Sequence, residues 1–210
     1  MKLFGLPYVE GELRSIAAHL PAQVTLAVFG GAAMARMGLK TATKDIDVVV
    51  RTEREAVDIG VALAASGYSE PAALEGPYRR MGARRVIENR DGFRWDVFAD
   101  MIIGFEFSEG MWSRTTPWME EGDLGVRQAP AEAIFILKAL TERERDRDDM
   151  NLLYVKTRPK GLSEAAALYD VPEAGKRIRE YVETRGRTGS RPFPRWAEFL
   201  QVAEEYGVTL

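Results

Sequence analysis

Residues 28–50 read VFGGAAMARMGLKTATKDIDVVV. A β-rich run, QVTLAVF, stops at Gly30 and Gly31, a short helix of small residues is expected over AAMARMG, and a compact apolar strand, DIDVVV, opens with Asp45 and Asp47. Two residues apart on a strand, those carboxylates point to one face of the sheet, a crowding of like charge that a cation would relieve. Magnesium, or manganese in its place, suits hard oxygen ligands supplied by one or two carboxylates together with nucleotide phosphates. The two glycines complement this: they put no side chain in the way of a phosphate, and they lie where a strand gives way to a helix whose first N–H groups face negative charge. Alone, a Gly-Gly is commonly a turn, and an Asp-x-Asp pair a solvated edge or helix cap. In this order, about a dozen residues apart and flanked by strands, they make a candidate nucleotide–metal site.

The rest of the composition narrows the chemistry. The chain has 210 residues, 46% hydrophobic and 29% charged, which fits one large globular domain or two small ones. No apolar run approaches the roughly 20 residues of a membrane span, and the first twenty residues carry acids where a signal peptide needs an apolar centre, so the expectation is a cytoplasmic protein with no membrane partner. Cysteine is absent and His19 is the single histidine, set in an amphipathic segment. Thiolate or imidazole zinc sites, thiol nucleophiles and cysteine redox chemistry are thereby excluded. Catalysis would run on carboxylates, lysine, arginine or a hard metal ion. With 29 bases against 32 acids the net charge is −3, so any nucleic-acid surface would have to be local.

Around the central segment, helix and strand alternate. Residues 9–20 read as a helix, as does EREAVDIGVALAAS, ended by Gly67. YRRMGARRVIEN and FRWDVFADMII, around Asp91-Gly92, read as a hairpin. Residues 106–129 lack a clean period and are expected to form an irregular crossover with one short strand at LGVRQ. Pro130 then opens a long helical region with alternating charges in its middle, followed by helices expected at about 163–186 and 194–206. The fold class is α/β (α+β): a small mixed sheet flanked by helices over 1–129, with a helical region over 130–210 packed on it.

The Gly-Gly, helix and Asp-x-Asp arrangement resembles the signature of the nucleotidyltransferase superfamily that includes DNA polymerase beta. Thr43 and Lys44, ahead of Asp45, are similar to its bacterial and archaeal branches. The resemblance implies a third carboxylate from a neighbouring strand, and Asp96, between Trp95 and Val97, is the matching residue; Asp100 is the alternative. It also implies a nucleoside triphosphate on Gly30 and Gly31, magnesium on Asp45 and Asp47, and Asp96 helping to bind a second metal and to activate an acceptor hydroxyl. A second likeness, in ILKALTERERDRDDMNLL, is to single-chain nucleotidyltransferases related to abortive-infection toxins, with Lys138, Asp146 and Asp149 at the matching positions; it implies nucleotide binding, with Lys138 in reach of the phosphates and Asp146 or Asp149 orienting it. On one continuous helix their spacings of eight and three would place all three on roughly one face. The structural alternative is a solvated charge run.

The acceptor could be an RNA end, a protein or a small molecule. Six arginines, 79, 80, 84, 85, 90 and 94, stand against Glu88 and Asp91 on the hairpin leading into Asp96, a pattern that fits a polyanion. RNA is therefore the expected acceptor, held through Arg79, Arg80, Arg84 and Arg85. Trp112, Trp118 and Trp196 are expected in the core rather than under a base. The competing class is a catalytically silent nucleotide-binding or toxin–antitoxin-type module of the same fold, with a protein partner.

Overall fold

The computed structural model describes residues 2–70, 83–103, 105–139 and 143–153. The chain divides into two compact units, Met1–Ala129 and the part that begins at Pro130. Arg79, Arg80, Trp196 and the helices expected near 163–186 and 194–206 lie outside the described residues.

The first unit is a mixed α/β structure. Helix α1 (Leu6–Ala17) leads to β1 (Val24–Phe29), α2 (Gly30–Arg36), β2 (Asp45–Val50) and α3 (Glu53–Ala65). Then come β3 (Arg85–Glu88), β4 (Arg94–Ala99), the short β5 (Met101–Ile102) and β6 (Phe105–Glu106), helix α4 (Glu109–Ser113), β7 (Thr116–Glu121) and β8 (Leu124–Gln128). Six of these strands form one sheet in the order β3-β4-β2-β1-β8-β7. The central strand β1 pairs antiparallel with β2 and parallel with β8, and β2 pairs parallel with β4. β1 and β2 are nearly continuous apolar runs because both of their faces are covered, as central strands require.

Local chemistry sets the helix ends. α1 starts at Leu6, three residues before the expected start, because Pro7 fits a first turn whose N–H groups need no intrahelical acceptor. It stops at Ala17, which leaves His19 exposed in the turn beyond it. α3 opens with a capping box, in which Glu55 N–H donates to the Thr52 hydroxyl and Thr52 N–H donates to Glu55 Oε2, and Gly67 follows it at φ +86°.

Residues 106–129 depart from the sequence reading. In place of an irregular crossover they form α4 and a hairpin, β7 with β8, that turns at Gly122, whose φ is +53°. β7 hides its strand character because it lies at the sheet edge. It tolerates Pro117, its register slips between Pro117 and Met119, and most of its side chains stay at least partly in water, so no apolar alternation marks it.

In the second unit, the long helical region is two helices, α5 (Ala131–Ala139) and α6 (Glu144–Asn151). Among the described residues no helix is long and apolar enough to cross a membrane.

Candidate functional site

The parallel pairing of β2 with β4 builds the site. It sets Asp47 opposite Asp96 and Asp45 opposite Arg94. Residues in register on neighbouring strands share a face, so one end of this face carries three carboxylates and one guanidinium. Farther along the same face stand Val49 and Phe98, with the Phe98 ring 5.5 Å from that of Phe29 on β1. The opposite face holds Ile46, Val48, Trp95 and Val97, all fully buried. Like charges placed directly opposite each other, as Asp47 and Asp96 are, destabilise a sheet.

Asp96 is 2% exposed and is held by Arg94, whose Nε donates to its Oδ1 at 2.8 Å and whose Nη2 donates to its Oδ2 at 2.9 Å. The same Nη2 donates to Asp45 Oδ2 at 2.6 Å, and Lys44 Nζ lies 3.4 Å from that oxygen. Burial, which outweighs the opposing pull of Arg94 and is helped by the charge on Asp45, leaves the Asp96 carboxyl raised to about 6. Asp100 is exposed, at the end of β4, with a left-handed φ of 60°. Four residues beyond Asp96, or about 13 Å along a strand, it is too far along to complete the set.

Gly30 and Gly31 face this cluster through close approach. Gly30 has φ +63°, and a Cβ there would collide with Asp47 Oδ2 and stand 3.0 Å from Asp47 Cγ. A Cβ on Gly31 would stand 2.8 Å from the Thr43 hydroxyl oxygen. Thr43 is fixed in turn: its backbone exchanges hydrogen bonds of 2.9 and 2.7 Å with Phe4, and its hydroxyl donates to Asp45 O at 2.9 Å. Gly30→Ala is expected to cost at least 1–2 kcal/mol from the left-handed backbone alone, at roughly this scale per residue, with displacement of Asp47 added. Urea unfolding checks this, and a loss below about 0.5 kcal/mol, the scale of an ordinary surface change, would contradict it.

In the second unit, Lys138, Asp146 and Asp149 do come together, though not on one helix. Lys138 near the end of α5 puts its ammonium 2.8 Å from Asp146 Oδ1 and 2.8 Å from Asp149 Oδ2, both on α6. Arg143 Nε donates to Asp146 Oδ2 at 2.6 Å. All three residues of the triad are buried. Burial alone would pull the Lys138 ammonium down, but Asp146 and Asp149 overcome it and hold its pKa above the usual lysine value. The solvated charge run expected as the alternative applies only in part, since Arg145 and Asp148 are exposed.

Of the other described hairpin arginines, Arg84 and Arg85 are engaged away from the carboxylates. Arg85 is in register with Val97, on the opposite face, where its side chain crosses α3 so closely that a Cβ on Gly60 would stand 2.5 Å from its Nε. Arg84 Nε lies 2.6 Å from Glu53 Oε1. Trp112 is in the core, its ring 5.1 Å from that of Phe107. Trp118 on the edge strand is half-buried instead, with the Arg36 guanidinium 4.9 Å from its ring and its Nε1 donating to Glu10 at 3.2 Å.

Arg94 is the site residue the sequence reading missed, because it counted there only as one of six hairpin arginines. The available signal was its position two residues before Asp96, and so on the same strand face. The Phe4 clamp on Thr43 had no sequence signal, since it is an isolated bridge between distant segments.

Compared with known proteins, the chain matches no family model and no curated protein sequence.

Proposed function

We propose that the protein is a metal-dependent nucleotidyltransferase that moves a nucleotide from a nucleoside triphosphate to an acceptor hydroxyl. The observation that carries this reading is the convergence of Asp45, Asp47 and Asp96 on one sheet face beside a Gly-Gly turn that has no room for a side chain. The donor set fits a magnesium or manganese ion. It is all-oxygen and anionic, it comes from neighbouring strands, and its two buried members, Asp45 and Asp96, are already held by a cationic group. Among the described residues no three such side chains are gathered closely enough to enclose an ion as they stand, and a guanidinium lies between two of the three carboxylates.

Asp45 and Asp47 would hold the ion with the triphosphate, and Asp96 would take part in holding a second one. Bound there, the metal would supply charge stabilisation to the attacking and leaving oxygens of an in-line displacement. The chain's own contributions are positional. Gly30 and Gly31 let Asp47 and Thr43 close on the start of α2, where the triphosphate would lie, Thr43 keeps the Asp45 backbone in place, and Lys44 adds positive charge at the phosphate side. Asp96 accepts the proton of the acceptor hydroxyl as its oxygen bonds to the α-phosphorus and pyrophosphate leaves. The transfer would take place in the cytoplasm.

For the acceptor, RNA stays the favoured proposal on charge grounds. Because Arg85 packs on α3 and Arg84 pairs with Glu53, contacts would have to come from elsewhere on the hairpin, and Arg79 and Arg80 lie outside the described residues. Lys138, Asp146 and Asp149 enter this reading only as a buried network, since a phosphate would have to share an ammonium that two carboxylates already hold. One observation favours the silent nucleotide-binding or toxin–antitoxin-type module: Arg94 already satisfies two of the three carboxylates.

Asp47→Asn is expected to fold and to lose about 100-fold or more in nucleotide affinity in magnesium, since a ligand carboxylate is removed. Calorimetry with each nucleoside triphosphate reads this directly. Equal affinities in the variant and the parent would overturn the proposal.

A further inference from the structure

We propose that Arg94 is a tethered occupant of the carboxylate site, a guanidinium that holds Asp45 and Asp96 together until a divalent ion displaces it onto Glu88. The inference rests on the reading of this site as one for a divalent metal.

The geometry is that of an ion's place already filled. One nitrogen, Arg94 Nη2, bridges two carboxylates from different strands, at 2.6 Å from Asp45 Oδ2 and 2.9 Å from Asp96 Oδ2. Nε completes a fork on Asp96 at 2.8 Å. The three side chains are enclosed, at 14% exposure for Arg94, 11% for Asp45 and 2% for Asp96. A bidentate guanidinium–carboxylate pair in such a setting is strong and directional. A metal that took oxygens from both strands would need the position Nη2 now holds, so the two cations exclude each other.

Charge favours an exchange over simple addition. A divalent ion beside the guanidinium would crowd two cations onto the same oxygens, Asp45 Oδ2 and Asp96 Oδ2, whereas one that replaces it removes that repulsion.

The displaced guanidinium has somewhere to go. Glu88 on β3 is directly opposite Arg94 in the antiparallel β3–β4 pairing, half-buried and on the same face. Directly opposed residues have Cβ atoms about 4.5–5.5 Å apart, within reach of a rotated arginine. Three consequences follow. Without metal the carboxylates are kept from repelling one another, the site prefers a divalent over a monovalent cation, and metal affinity depends on a residue, Glu88, that is no ligand.

Binding of Mn²⁺ alone, read as the free-ion EPR signal, tests this in the parent, Arg94→Met and Glu88→Gln. Arg94→Met should bind Mn²⁺ at least about tenfold more tightly than the parent, because its competitor is gone. Glu88→Gln should bind about threefold more weakly, because the displaced guanidinium loses its second partner. In the parent, the ¹⁵N–¹H signal of Arg94 Nε should be protected from exchange without metal and should lose that protection in Mg²⁺. A merely structural arginine would give the opposite pattern, with weaker Mn²⁺ binding in Arg94→Met and an unmoved Nε signal, and either result would overturn the proposal. Should Arg94→Met fail to fold, Glu88→Gln and the parent's Nε signal decide it. If none of the three proteins binds Mn²⁺, the metal reading of the site falls and this inference falls with it. If Mn²⁺ binds but affinity is indifferent to Arg94 and Glu88, only the inference falls.

Discussion

Asp96→Asn is expected to transfer nucleotide about 100- to 10,000-fold more slowly than the parent, the range spanned by loss of a positioned general base. Nucleotide affinity in magnesium should fall far less, because Asp45 and Asp47 remain. A pH signature accompanies this. Burial pushes the Asp96 carboxyl up to about 6, against the downward pull of Arg94 and with the charge of Asp45 adding to the rise. A base must be ionised to accept a proton, and a cation beside the carboxyl favours its ionised form, so the parent's rate should rise with pH to a plateau reached below the metal-free value, and the variant should lack that step. Stability moves the other way. Between the ordinary value of 3.8 and about 6 the folded chain holds this proton more tightly than the unfolded chain does. Asp96 therefore draws stability down as pH rises across that window. Single-turnover rates with labelled nucleotide between pH 5 and 8 read both the loss and the step, and a variant as fast as the parent would remove Asp96 from the reaction.

Lys138→Met is the second large effect, and it is on stability. The ammonium is the shared partner of Asp146 and Asp149, both buried, and its removal takes an ion-pair partner from each carboxylate, with Arg143 still on Asp146. Breaking one side of a buried ion pair costs about 3–5 kcal/mol. Native-state hydrogen exchange of the amides in α5 and α6 should show their opening free energy reduced by about this amount, and a change under about 1 kcal/mol would contradict a structural role for the network. Replacing all three residues with apolar ones of similar volume should recover most of the loss. The folded-state lysine has a raised pKa, so its contribution is complete below the ordinary value of 10.5 and is lost only as pH rises through the raised one. The network should therefore hold unchanged from about pH 6 to 9.

These two clusters were legible to different degrees. The spacing from Gly30-Gly31 to Asp45 and Asp47 could be read directly, because strand alternation is local and two carboxylates two residues apart must share a face. That Asp96 joins them depends on β2 and β4 being parallel and in register, which follows from a crossover through α3 and β3 that no local pattern encodes. The role of Arg94 was hidden for the same reason: its partner, Asp45, is 49 residues away. The β7–β8 hairpin was half seen, since β8 is apolar and buried while β7 is a wet edge strand with a proline. Lys138, Asp146 and Asp149 were grouped by spacing on one helix, yet they meet across two, because Lys138 belongs to α5 and both acids to α6.

The central claim is transfer of a nucleotide by this carboxylate set. The most direct measurement incubates the protein with nucleoside triphosphates labelled at the α-phosphate, or in parallel at the γ-phosphate, in magnesium or manganese with a cell extract. The account predicts that α-label, and not γ-label, becomes attached to a macromolecule or small-molecule acceptor, and that transfer disappears with a chelator and in Asp47→Asn. Absence of α-label transfer from all four nucleotides, or transfer that survives Asp47→Asn, would contradict it.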